Sequence, residues 1–107
     1  MATSIRNWEE RRLTKNDLQI QGLLKTFLVT EDSFFSQKAN LTRGKTFENR
    51  QKALPESGRY EEFNVTPRRV DSRRIIVDLD SMDVFISLSH YKPDSFWYAG
   101  KVGQLQG

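Results

Sequence analysis

The hydrophobic pattern of this chain changes period at the turn Pro55-Glu56-Ser57-Gly58. Before it, apolar residues recur at helical spacing; after it they alternate, and a segment written in one period does not settle into the other structure. A helical part is therefore followed by a stranded part. That order predicts an α+β domain in which N-terminal helices pack on one face of a C-terminal antiparallel β-sheet and leave the other face partly open. A length of 107 residues suits one domain spanning residues 1–107 and excludes two independent cores.

Leu13, Ile20, Leu24, Phe27 and Leu28 fall on one stripe at helical spacing, and Thr14 is followed three residues later by Asp17, an acidic variation on a capping box. A helix over 15–28 follows. The next stretch mixes Thr, Ser, Asp and Gly with Phe34, Phe35 and Leu41, and reads as a short helix or turn over 33–39, then a loop at Thr42-Arg43-Gly44. Beyond the turn, strands are predicted over 59–65, 73–79 and 84–88, with a fourth short one over 96–102. Turn-rich segments at Thr66-Pro67, Asp80-Ser81 and Lys92-Pro93-Asp94 separate them, giving an antiparallel meander.

Alternation sorts the strand side chains. Phe63 and Val65 point one way and Tyr60, Glu62 and Asn64 the other, while Ile75, Val77 and Leu79 oppose Arg74 and Asp78. One face is then apolar and the open face carries Glu62 and Arg74, a carboxylate and a guanidinium that one substrate can reach together. Glu61 falls on the opposite face. The plainer reading of the pair is a surface salt bridge contributing about 0 to 1 kcal/mol.

Composition removes several chemistries. The chain has no cysteine and one histidine, His90, so disulfides, thiolate nucleophiles and Cys-based zinc sites are excluded, and a lone imidazole cannot hold a metal by itself. No metal and no cofactor is expected. Seventeen Lys plus Arg against fourteen Asp plus Glu leave a formal charge of +3, a modest bias toward polyanionic partners. No apolar run approaches the roughly 20 residues that cross a bilayer, and the start MATSIRNWEERR lacks the apolar stretch of a secretory signal, so neither a membrane partner nor an export address is expected. Lack of cysteine suits a reducing compartment and equally a secreted domain that needs no staple.

Several separated motifs, in order, resemble the barnase-type microbial ribonucleases. They are Phe47-Glu48-Asn49-Arg50, Leu54-Pro55, Ser57-Gly58-Arg59-Tyr60-Glu61-Glu62-Phe63-Asn64-Val65, Arg73-Arg74-Ile75-Ile76, and His90-Tyr91 with Phe96. The resemblance spans residues 14–102 and is strongest from Phe47 onward. It implies the microbial ribonuclease fold and a metal-independent endoribonuclease that cleaves single-stranded RNA by transesterification to a 2′,3′-cyclic phosphate. The residue types fit that chemistry: a weakly acidic ribose hydroxyl needs a carboxylate base, the departing 5′-oxygen needs a proton donor, and the five-coordinate phosphorane needs fixed positive charge. By the family pattern Glu62 is the general base, His90 the general acid and Arg74 the clamp on the developing charge.

Leu13-Thr14-Lys15, with Gly22 seven residues beyond the lysine, resembles the place where members carry a phosphate-facing lysine at a helix start. Lys15 is equally an ordinary exposed helix lysine on residue type alone. The resemblance makes Phe47 to Gln51 the base-recognition loop, with backbone amides at Glu48, Asn49 and Arg50 reading the O6 edge of guanine, and makes Tyr91 a stacking residue or part of the ribose pocket. Asn49 as a plain turn residue and Tyr91 as a core aromatic are the structural alternatives.

The chain departs from the family pattern in several ways. Gln51 stands where members usually place a Glu that accepts from both guanine N1–H and the exocyclic amine, and an amide offers one acceptor oxygen; preference for guanine is expected to be relaxed. The second catalytic arginine would fall at Val70, with Arg68 and Arg69 just upstream, and a one-residue bulge would bring Arg69 into place. Ser89 precedes the histidine where an acidic residue is common, and the loop to Phe96 is long. The chain also begins late relative to many members, which suggests a toxin module released from a larger polypeptide. A monomer is expected, with RNA as substrate and an acidic inhibitor or immunity protein as the partner a basic cleft would attract. The competing reading is a catalytically impaired relative that binds RNA or an inhibitor; retention of both acid and base at family spacing favours activity.

Overall fold

In a computed structural model, residues 5–27, 30, 45–48, 54–55, 58–65, 72–89 and 95–103 are described. The helix α1 (Lys15–Phe27) starts where the capping pattern puts it. The Thr14 N–H donates to Asp17 Oδ2 at 2.9 Å, the reciprocal half of a capping box, and Arg11 Nε donates to the same oxygen at 2.8 Å. Burial alone would raise the Asp17 carboxyl. Hydrogen bonds from Arg11 and Thr14, with the Arg11 charge, outweigh it and hold the group below the ordinary carboxylate value. Ile20 and Leu24 point into the core, as their spacing requires.

Leu13 does not belong to that stripe: it precedes the helix and is 39% exposed, because the capping turn at Thr14 directs the chain away. Leu28, the segment 33–39 and the loop at Thr42-Arg43-Gly44 lie outside the described residues. Where several helices were expected, the described residues contain one α-helix, preceded by a 3-10 turn, Trp8–Glu10, closed by the Arg11 N–H on the Trp8 carbonyl.

Among the described residues six strands form one sheet in the order β1-β6-β5-β4-β3-β2. They are β1 (Arg6–Asn7), β2 (Lys45–Phe47), β3 (Tyr60–Asn64), β4 (Arg74–Asp78), β5 (Asp83–Ser87) and β6 (Phe96–Lys101). β3 to β6 are the predicted strands, shifted at most one residue at either end, and with β2 they make an antiparallel meander. β1 and β2 are additions, two and three residues long, too short to show a period. β1 runs parallel to β6, so the sheet is mixed rather than purely antiparallel. At the β5–β6 ladder Val84 pairs with Gly100 and Phe85 with Tyr98, leaving Ala99 as an extra residue. Gly100 takes φ 116°, a conformation that a bulge asks of it and that a side chain would resist.

The core on the helix side joins Ile20 and Leu24 to Phe63, Ile75, Val77 and Ile86. The expectation of a polar, open second face needs correction. Leu54, Tyr60, Ile76, Phe85 and Phe96 form a second buried cluster there, so β4 is buried on both faces over its whole length. The reason is visible in the strand itself: Ile75, Ile76 and Val77 are consecutive, as in strands covered on both sides. Among the described residues no helix is long and apolar enough to cross a membrane.

Gly22 lies exposed on α1, and the position its Cβ would take has nothing within 4 Å. Gly22→Ala is expected to stabilise the fold by about 0.5–1 kcal/mol, read as a higher urea midpoint at unchanged m-value. A lower midpoint would contradict the open space around this helix position.

Candidate active site

Glu62 sits at the middle of β3, opposite Ile76 on β4 and Lys45 on β2. Arg74 opens β4, opposite Asn64 on one side and Ser87 on the other. The two candidates are therefore diagonal neighbours on one face of an antiparallel pair, a relation that sets Cα atoms about 7–8 Å apart and within reach of long side chains. Both are buried, at 7% and 8% exposure. An exposed surface ion pair is thus the wrong description: a carboxylate and a guanidinium held this deep carry a desolvation penalty that surface pairs avoid. Glu61 is half-buried on the face of Phe63, so alternation separates the two adjacent glutamates as expected.

The Arg74 guanidinium donates from Nη1 to the Arg73 carbonyl at 2.8 Å. The Arg73 side chain turns to the helix layer, where Nη1 donates to the Asn16 carbonyl at 2.9 Å and Nη2 to Gln19 Oε1 at 2.7 Å. Arg73 was not singled out from sequence. Its signal was there: in Arg73-Arg74, alternation sends one arginine to each face, and α1 offers polar acceptors on its first turn.

Ser87, fully buried beside Arg74, shares a 3.0 Å hydrogen bond with Ser95 between their hydroxyls. The Leu88 N–H donates to the Ser95 carbonyl at 3.1 Å. These contacts close the base of the connection between β5 and β6 at the Arg74 end of the ladder. His90 and Tyr91 belong to that connection and lie outside the described residues, as do Arg69, Asn49, Arg50 and Gln51.

Phe47 ends β2 opposite Tyr60 and is half-buried, its ring 6.2 Å from Tyr60 and 6.4 Å from Phe96. It anchors the start of the expected base-recognition loop by packing on the second cluster, and the exposed Glu48 follows directly. Lys15 is the exposed first residue of α1, whose buried side packs on the sheet face opposite Glu62. The Arg73 bridge nevertheless brings that first helical turn to the strand end from which Arg74 begins.

The far end of the same face is acidic. Asp78 Oδ1 accepts from the backbone N–H groups of Asp80 at 2.9 Å and Arg59 at 3.2 Å, and Asp83 accepts from the Tyr98 hydroxyl at 2.7 Å. Burial opposes ionisation of both carboxyls, but these hydrogen bonds, joined at Asp83 by Ser81 and Lys101, prevail and lower both pKa values. Along β4 Ile76 separates Arg74 from Asp78, while Glu62, opposite Ile76, stands on the diagonal to both.

No protein-family model matches the chain, and no match emerges among characterised proteins.

Burial, reinforced by the Asp78 and Asp83 charges, pushes the Tyr60 phenol up to about 12. Burial, together with the hydrogen bond and charge of Asp83, does the same for Tyr98. Folded pKa values above the ordinary 10 mean that the native state keeps these protons while the unfolded chain loses them. Stability from these phenols is present in full below pH 10 and is lost as pH rises to about 12. Tyrosinate absorbance should accordingly appear late for two of the three tyrosines in the native protein, with the denaturant midpoint falling over the same interval. Ordinary titration of all three would contradict this.

Proposed function

We propose that this protein is a barnase-like endoribonuclease, cleaving single-stranded RNA without a metal. The observation that carries the reading is the buried diagonal pair of Glu62 and Arg74 on one sheet face. The α+β class supports it, as does an antiparallel meander with α1 against one face and the candidate base on the other. Glu62 takes the proton from a ribose 2′-hydroxyl as that oxygen attacks the adjacent phosphorus. Arg74 stabilises the charge that builds on the equatorial oxygens, where a fixed cation in a buried site acts far more strongly than in water. His90 gives a proton to the 5′-oxygen as the P–O bond breaks, leaving a 2′,3′-cyclic phosphate and a 5′-hydroxyl.

Arg69 supplies a second guanidinium, and Lys15 adds positive charge at a helix start, where N–H groups already favour anions. Tyr91 and the loop from Phe47 to Gln51, through the amides of Glu48, Asn49 and Arg50, receive the base. A net charge of +3 suits RNA and an acidic inhibitor, and the domain fits a toxin module.

Purified protein with RNA in excess EDTA is expected to generate cyclic-phosphate ends. Glu62→Gln and His90→Ala should abolish them, and Arg69→Ala should slow turnover by about tenfold or more, with Arg68→Ala near wild type. RNA that is bound but left intact would replace this function with the binding-only reading.

Gln51 meets only part of the guanine edge. Restoring a carboxylate with Gln51→Glu should raise the GpN over ApN cleavage ratio on the order of ten- to hundredfold, the size of a hydrogen bond to charge. Dinucleotide cleavage rates check this; a wild-type enzyme already strongly selective for GpN would show that the amide suffices.

A further inference from the structure

We infer that Arg73 is a positioning residue that couples the first turn of α1 to the Arg74 guanidinium through its own main-chain carbonyl. The coupling is built from three hydrogen bonds, two side by side from one guanidinium and a third at the main chain: Asn16 carbonyl and Gln19 Oε1 accept from the Arg73 fork at 2.9 and 2.7 Å, and the Arg73 carbonyl accepts from Arg74 Nη1 at 2.8 Å. Two acceptors on separate atoms fix the plane of the Arg73 guanidinium, a restraint that a rigid planar fork offers and an ammonium does not. The helix end that supplies them is itself held, by Asp17 in the capping turn and by Ile20 and Leu24 in the core.

Arg73 precedes the first residue of β4, and its side chain ties that strand end to α1. Its carbonyl accepts from the Arg74 guanidinium. Releasing the side chain lets the acceptor swing and the Arg74 guanidinium with it, while the strand register survives on the burial of Ile75, Ile76 and Val77. A displacement of that kind affects a group whose work is to match charge in a transition state more than it affects ground-state binding. For this kinetic consequence the coupling rests on the ribonuclease reading; the coupling itself does not.

The test is a mutant cycle with a second, activity-independent readout. Arg73→Met should lower kcat on a dinucleotide about ten- to hundredfold with little change in KM, Arg73→Lys should recover part of it, and Arg73→Met should cost nothing further in an Arg74→Ala background. An additive loss there would overturn the proposal, since it would mean that Arg73 acts on stability or substrate independently. In parallel, NMR of the Arg74 Nη resonances should show hindered rotation in wild type and faster exchange in Arg73→Met; unchanged Arg74 signals would also overturn it. Should Arg73→Met fail to fold, Gln19→Ala removes one acceptor and should move the same signals in the same direction by less. If wild type leaves RNA intact while the Arg74 signals respond, the ribonuclease reading falls and the coupling stands.

Discussion

β4 is buried on both faces from Arg74 to Asp78, and the position of every candidate group on the sheet depends on it. A strand covered on one side only can slip by two residues and still bury its apolar set. Here Ile75 and Val77 must enter the helix-side core while Ile76 enters the aromatic cluster, and a slip by one would exchange the two sets and the charges with them. That requirement pins Glu62 opposite Ile76 and Arg74 opposite Ser87. Burying two opposite charges is costly unless hydrogen bonds and partners compensate, so they persist only where the surrounding apolar burial over-determines the backbone.

The segment ahead of α1 has a comparable role on the other layer. Trp8 meets Trp97 edge-on at 6.2 Å, and its indole N–H donates to Gln21 on the helix at 2.6 Å. Arg11 lies over the Trp97 ring at 5.0 Å while also pairing with Asp17, and Arg6 covers Trp97 at 4.2 Å. One guanidinium thus joins the last strand of the sheet to the cap of the helix. The α1 end that reaches Arg73 is held from behind by this cluster.

Much of this was legible in the sequence, and the divisions are physical. The change of period at Pro55 located four strands because five or six residues suffice to show alternation, and alternation alone separated Glu62 from Glu61. Thr14 and Asp17 marked the helix start because the capping contact is local in the chain. β1 and β2 were illegible because two or three residues carry no pattern and form only where a finished sheet offers them an edge. Leu13 misled because helical spacing was extended through a cap, which redirects the backbone. The second cluster was hidden because Tyr60, Phe85 and Phe96 come from three separated strands and meet only in the tertiary structure.

The two short strands also decide how the sheet meets other molecules. Among the described residues the sheet ends in a strand of three residues on one margin and of two on the other. Unpaired backbone at a sheet margin is a template for strand addition, and long flat margins nucleate cross-β aggregates. A margin of two or three residues offers an incoming chain few consecutive donors and acceptors. The meander between them can therefore keep a run as apolar as Ile75-Ile76-Val77 in its centre without presenting a similar run to a neighbouring copy.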